Sequence, residues 1–219
     1  MVGSLTPSKR VDVEATLRLR LIHGKIRPDT RLSSRVLAAE LGVSAMPVRD
    51  ALARLAAEGA LEIQQKKRIL VPRMSEQRFK EIQRLRELLE PEAAARSLTA
   101  LNKATILRLQ RFDTAIDVAM QTQDVERYMA ANAGFHFTLY NAQPQPVTQR
   151  LIETLWLQTG PYQGYVIHQW GVQRLQDQHE LALAAIRKRQ VRELKAAIRQ
   201  DIRDGMRLIG DQLHKEGAW

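Results

Sequence analysis

Residues 31–73 read RLSSRVLAAELGVSAMPVRDALARLAAEGALEIQQKKRILVPR, and no other stretch restricts the fold as much. A short helical period over 33–42 starts at Ser33 or Ser34, either of which suits an N-cap, and stops at Gly42. A second period over 44–59 opens on Ser44 and closes at Gly59. Only Val43 separates them, so the turn must be tight, and Gly42 can take the left-handed conformation that a Cβ resists. Ala38 is small where the two helices must cross. Val48, Leu52 and Leu55 form an inward stripe on the second helix, which leaves Ala45, Met46, Arg49 and Ala53 facing outward. Pro47 falls in the first turn, where a missing N–H costs no helical bond. Leu61, Ile63, Ile69 and Val71 then alternate around a polar QQKK centre, the pattern of a two-stranded hairpin over 60–73.

A further helix precedes this unit at 11–26, with Val13, Leu17, Leu21 and Ile22 on one stripe. Three helices followed by a hairpin make a winged helix-turn-helix. Beyond Pro72 the chain turns helical throughout. The periodicity predicts helices near 76–98, 103–121, 124–142, 145–159, 162–169, 171–188 and 190–214, broken at TALN, TQD, AQPQP, TGP, QWG and KRQ. The expected fold is therefore mainly α: a winged helix-turn-helix over residues 1–75 and an all-helical bundle over residues 76–219.

Charge separates the two parts. Residues 1–75 hold 14 Lys and Arg against 7 Asp and Glu, and the remainder hold 20 against 17, so most of the net charge of +10 sits in the first third. A concentrated basic excess suits a polyanion, because neutralising phosphates releases counterions. Arg49, on the exposed half of the second helix, can bond a guanine edge or a phosphate. Arg35 at the preceding helix start suits a phosphate, and Lys66, Lys67 and Arg68 at the hairpin tip suit a minor groove. With no cysteine, the chain has no disulfide scaffold, thiolate zinc site or Cys nucleophile. Neither a signal-peptide core nor a membrane-length apolar run occurs, so a cytoplasmic protein with no membrane partner is expected.

The frame L-x-x-R-x-L-A-x-x-L-G-V-S-x-x-P-V-R-x-A-L, complete over residues 32–52, closely resembles the DNA-binding domain of GntR-type bacterial transcription regulators. The resemblance implies an operator in double-stranded DNA, bound by a homodimer through Arg35, Ser44, Ala45, Met46, Arg49 and the wing tip. Ala45-Met46 stands where an Arg-Thr pair commonly precedes the proline, so a charged contact is lost and the operator cannot be transferred from relatives. Lys66-Lys67 replaces a common wing glycine.

The rest is similar to the FCD ligand-binding domain of the FadR-like branch of that family. RELLEPEAAARSLTA (86–100) resembles its first helix, NAGFHFTLYNAQPQP its Asp/Asn-x-x-x-His helix, QDQHELALAAIRKRQ its second histidine helix, and AAIRQDI its third ligand helix. The resemblance implies a metal held by Asn132, His136, His179 and Asp201, with Asp201 where a histidine is frequent. The residues themselves agree. Asn132 and His136, four apart, share a helix face, and four polar groups turned into one bundle need partners. A divalent cation would supply them, and zinc, nickel, manganese or iron suits the set; a metal-free polar network is the alternative. The resemblance also suggests that Arg86 holds the carboxylate of a small organic acid effector; a salt bridge to Glu90, one turn on, is the alternative. The expected function is effector-responsive transcription regulation, not catalysis. The rival is a helical metalloenzyme with a two-His-one-carboxylate site fused to a DNA-binding domain.

Overall fold

The computed structural model describes residues 12–65, 68–172 and 178–217. Helix α1 (Val13–Ile22) begins at Asp12, whose side chain accepts the Ala15 N–H at 3.0 Å. It buries the predicted stripe Val13, Leu17, Leu21 and Ile22. Helices α2 (Ser34–Leu41) and α3 (Ala45–Ala57) flank the tight turn, with Gly42 at φ +66°. Ser33 and Ser44 occupy the N-cap positions without a side-chain capping bond. Val48, Leu52 and Leu55 are fully buried against α1.

The wing differs from expectation in two ways. A short strand, β1 (Arg31–Leu32), joins β2 (Glu62–Gln64) and β3 (Arg68–Leu70) in an antiparallel sheet of order β1-β3-β2. Leu32 faces Ile69 and Ile63 faces Ile69 from the other side. Two residues are too few to show alternation, so β1 lay hidden in the expected helix break. Ile63 is exposed, while Leu61 and Val71 are buried, so the alternation buries only its outer members.

Beyond Pro72 lie α4 (Glu76–Ser97), a 3₁₀ turn (Leu98–Ala100), α5 (Lys103–Thr122), α6 (Val125–Tyr140), α7 (Pro146–Trp170), α8 (His179–Arg187) and α9 (Val191–Lys215). Ser75, Asn102 and Asp124 cap α4, α5 and α6 through their side chains. The expected break at TGP is absent: α7 runs unbroken through Gly160-Pro161. A proline inside a helix forfeits one backbone bond. Here residues 159–164 are all buried, and tertiary packing overrides local propensity. The expected helix 171–188 begins only at His179, since Gly171 ends α7 and Val172 and Gln178 are not helical; residues 173–177 lie outside the described residues.

α7 also carries the winged unit. Gly160 and Gly164 let α1 approach backbone to backbone: a Cβ built on Gly160 would stand 2.4 Å from the Leu21 carbonyl oxygen, and one on Gly164 2.6 Å from Gly24 Cα. Arg18 of α1 pairs with Glu58, just past α3, and with Glu153 of α7 at 3.2 Å. Arg78 of α4 donates to the Gly59 carbonyl and to Gln158 of α7, both at 2.9 Å, and the Tyr162 hydroxyl donates to the Pro72 carbonyl at 2.6 Å.

Candidate metal centre and nucleic-acid interface

In the helical part, α6 faces α4, α7, α8 and α9 with its most polar buried side chains. His136, 1% exposed, lies on α6; His179, 2% exposed, opens α8; Asp201 is partly buried on α9. His136 Nε2 stands 3.2 Å from His179 Nε2 and 3.1 Å from Asp201 Oδ2, and His179 Nε2 is 4.0 Å from Asp201 Oδ1. Donors about 2.0–2.2 Å from one ion lie roughly 3.0–3.5 Å apart, so these spacings fit a shared cation. Asn132, one turn before His136, is buried and lines the same small cavity.

A chain of buried groups stands behind His136. Its Nδ1 meets the Tyr140 hydroxyl at 2.8 Å, and that hydroxyl donates to Glu90 Oε2 at 2.9 Å. Arg86 donates from Nε to Glu90 Oε1 at 2.5 Å and lies over the Trp156 ring at 4.5 Å. Burial pushes the Tyr140 phenol well above its ordinary range, and the Glu90 charge pushes it further, so it keeps its proton. Burial, the largest effect, would lower Arg86, but the charge and hydrogen bond of Glu90, with Tyr140 and Asp201, together outweigh it and hold the guanidinium cationic. Burial likewise works to raise Asp201; His179, then His136 and Arg86, overcome it and hold the carboxyl below its ordinary value. Trp156 packs on His136 at 5.4 Å between centroids, and Phe135 packs on His179 at 4.4 Å.

Arg86 thus makes the salt bridge to Glu90 and also lines the cavity with Asn132, His136 and Asp201. Leu85, the neighbour of Arg86 on α4, is by contrast 39% exposed. The cavity holds only about 30 Å³, the space of one water, which is too little for an organic acid in this conformation. Tyr140 and Trp156 are the members that sequence reasoning did not assign, and Glu90 entered it only as the alternative partner of Arg86. Glu90 had a signal, a carboxylate one helical turn from Arg86. The Tyr140 and Trp156 spacing reads equally well as core.

On the winged unit, Arg35, Ser44, Met46, Arg49 and Arg68 are exposed, and Ala45 is half-buried at the start of α3. Met46 is 65% exposed. Among the described residues, Arg35, Arg49 and Arg68 form no ion pair, so their charge is available to a polyanion. Lys66 and Lys67 lie outside the described residues.

Comparison with known proteins decides the family. Residues 9–71 match the gntR family of bacterial regulatory proteins, and residues 81–204 match the FCD domain. The chain belongs to the GntR family and carries an FCD domain. This GntR-family chain is 27% identical over 211 residues to the HTH-type transcriptional regulator McbR of Escherichia coli K12, covering 95% of this chain and 96% of McbR. It is 26% identical over 190 residues to the gluconate operon transcriptional repressor of Bacillus subtilis 168, covering 82% and 76%. The E. coli McbR/YncC structure superposes with a TM-score of 0.85 at 28% identity, covering 91% of this chain and 96% of that one. The chain is a transcriptional regulator and not an enzyme, so the metalloenzyme alternative falls. Among the described residues, no helix is long and apolar enough to cross a membrane.

Proposed function

We propose that this GntR-family regulator is a cytoplasmic, metal-containing homodimer that binds an inverted-repeat operator and responds to a small carboxylate. Residues 1–75 read DNA and residues 76–219 sense the ligand. One observation carries the metal. Glu90, paired with Arg86, can only accept, so Tyr140 must donate to it and accept from His136 Nδ1–H. The Nε2 lone pair of a neutral His136 then faces the Asp201 oxygen 3.1 Å away, acceptor against acceptor. A positive species between them removes the conflict, and the nearby His179 nitrogen makes a metal ion the better fit. Two imidazoles, a carboxylate and the Asn132 amide oxygen suit zinc, nickel, manganese or iron. A bound ion would supply positive charge and open coordination positions for an anion.

Arg86 beside those positions favours a carboxylate, and a relative governing an operon for gluconate, itself a hydroxy acid, supports that class. The 30 Å³ cavity must widen to admit it. Gly205 on α9 forms a wall where an added Cβ would meet nothing within 4 Å, so widening there is least opposed.

Dimerisation is supported by an uncovered apolar face. α4 and α7 run antiparallel, pinned by Arg78 to Gln158 at one end and Gln145 to the Ala93 carbonyl at the other. That places exposed Leu85 and Leu88 level with exposed Leu151 and Val147. A second copy is the fitting partner, since one winged unit reaches one half-site. The deciding experiment is elemental analysis of purified protein, with operator binding measured with and without chelator and with a panel of di- and hydroxy-carboxylates. Stoichiometric metal and an acid-dependent shift in DNA affinity are expected. Metal-free protein whose DNA binding ignores chelator and every acid would overturn the reading.

A further inference from the structure

Behind His136, three buried groups run in line from the candidate metal centre to α4. Glu90 is 0% exposed and Tyr140 1%, so their bonds are made without water. Each bond in the line has one possible polarity. Arg86 is cationic and donates to Glu90; Glu90 is therefore an acceptor at both oxygens. The single Tyr140 proton goes to Glu90 at 2.9 Å, which leaves the phenol oxygen as the acceptor for the His136 ring at 2.8 Å. Nothing in the FCD metal ligand set requires this arrangement. A side chain without a hydroxyl at 140 would leave His136 Nδ1 without this acceptor.

We infer that Tyr140 and Glu90 are positioning residues that lock His136 in its Nδ1–H tautomer and so aim the Nε2 lone pair at the metal. This rests on the metal reading above. The physical consequence is preorganisation. Without Tyr140, neutral His136 would carry its proton on Nε2 and donate it to Asp201 at 3.1 Å, a good hydrogen bond that closes the site. An arriving ion would then have to displace that proton and break that bond. With Tyr140 in place a neutral His136 has no Nε2 proton to give Asp201, and the ion meets a lone pair and a carboxylate already facing each other. Groups that orient a ligating histidine commonly change metal affinity by about 10- to 100-fold. Arg86 enters through the same line, because it fixes the charge of Glu90. An effector anion that drew Arg86 away would loosen the lock, linking the acid to the metal within one set of bonds.

The test uses the full-length protein labelled with 15N-histidine, and the variants Tyr140→Phe and Tyr165→Phe. Tyr165 bonds Glu216 at 3.0 Å and touches none of these groups, so it controls for loss of a phenol. In metal-free wild type at alkaline pH, NMR should find the His136 proton on Nδ1. In Tyr140→Phe it should move to Nε2. Zinc affinity by chelator competition should fall roughly 10- to 100-fold in Tyr140→Phe and stay unchanged in Tyr165→Phe. Circular dichroism and the melting curve of metal-free Tyr140→Phe check that it folds. A purely packing role for Tyr140 would lower the melting temperature without moving the tautomer. Should Tyr140→Phe not fold, Glu90→Gln gives the same readout: its amide can donate to the phenol oxygen, reverse the line and force the Nε2–H form. Wild type with the proton on Nε2, or Tyr140→Phe binding zinc as tightly as wild type, would overturn the inference. Wild type that takes up no metal would overturn the metal reading, and the tautomer would still decide whether the lock exists.

Discussion

Replacing Gly160 by alanine tests whether the winged unit is held on α7 by direct backbone contact. Gly160 and Gly205 are both helix-interior glycines, on α7 and α9. In an exposed helix, glycine to alanine gains about 0.5–1 kcal/mol, because alanine loses less backbone entropy on folding. At Gly205 the new methyl meets nothing within 4 Å, so Gly205→Ala should show that gain in full. At Gly160 the methyl would lie 2.4 Å from the Leu21 carbonyl oxygen, 2.8 Å from that of Ile22 and 2.9 Å from Ile22 Cα. All three atoms are backbone, and no side chain can swing aside. Ordinary contact is about 3.5 Å, so α1 must retreat by about 1 Å, and overpacking of that kind costs about 1–3 kcal/mol. Retreat would also draw Arg18 from Glu153, now at 3.2 Å. Net of the helical gain, Gly160→Ala should be less stable than wild type by up to about 2.5 kcal/mol. For a chain of this size each kcal/mol moves the melting temperature by about 2–4 °C. Thermal unfolding followed by circular dichroism, with both variants in one buffer, reads the difference directly. A Gly160→Ala melting point at or above that of Gly205→Ala would refute the backbone contact, since the helical term is common to both.

Arg49→Ala should weaken operator binding by about 1–3 kcal/mol with the melting point unchanged, if Arg49 makes a bidentate base contact; binding isotherms and thermal melts on the same preparation check both halves. His179→Ala should abolish stoichiometric metal by elemental analysis, and chelator should lower the melting temperature of wild type but not of this variant, since a ligand of the folded state stabilises it by mass action. Operator affinity should fall steeply with salt, and the slope of log affinity against log salt should become shallower by about one in Arg35→Ala if that residue meets a phosphate. Burial, then the Lys25 charge, holds His23 below its ordinary value. The unfolded chain therefore binds this proton first, so the contribution of His23 to stability is complete above about pH 6.5 and declines as pH falls through that value. Denaturant titrations from pH 7.5 to 5 should show a shallower decline in His23→Gln.

The winged unit was readable in the sequence because its determinants are local. The helix stops at Gly42 and Gly59, the stripe of Val48, Leu52 and Leu55, and the proline in the first turn of α3 each act within a few residues, where spacing and backbone preference decide the outcome. The same holds for Asn132 and His136, which share a face whatever surrounds them. Tertiary structure decided what depends on groups distant in the chain. The break expected at Gly160-Pro161 does not occur, since burial of residues 159–164 outweighs one lost hydrogen bond. Strand β1, two residues long, exists only because β3 pairs with it. His179 reaches His136 across 43 residues, and Glu90 reaches Tyr140 across 50. No spacing rule encodes such distances. Arg86 shows the division most clearly. Sequence offered it two roles, effector cation or partner of Glu90, and the fold makes the second while leaving the side chain in the cavity wall. A buried charge must be paired where it stands, and which partner lies within reach is a property of the packed bundle, not of the helix that carries it.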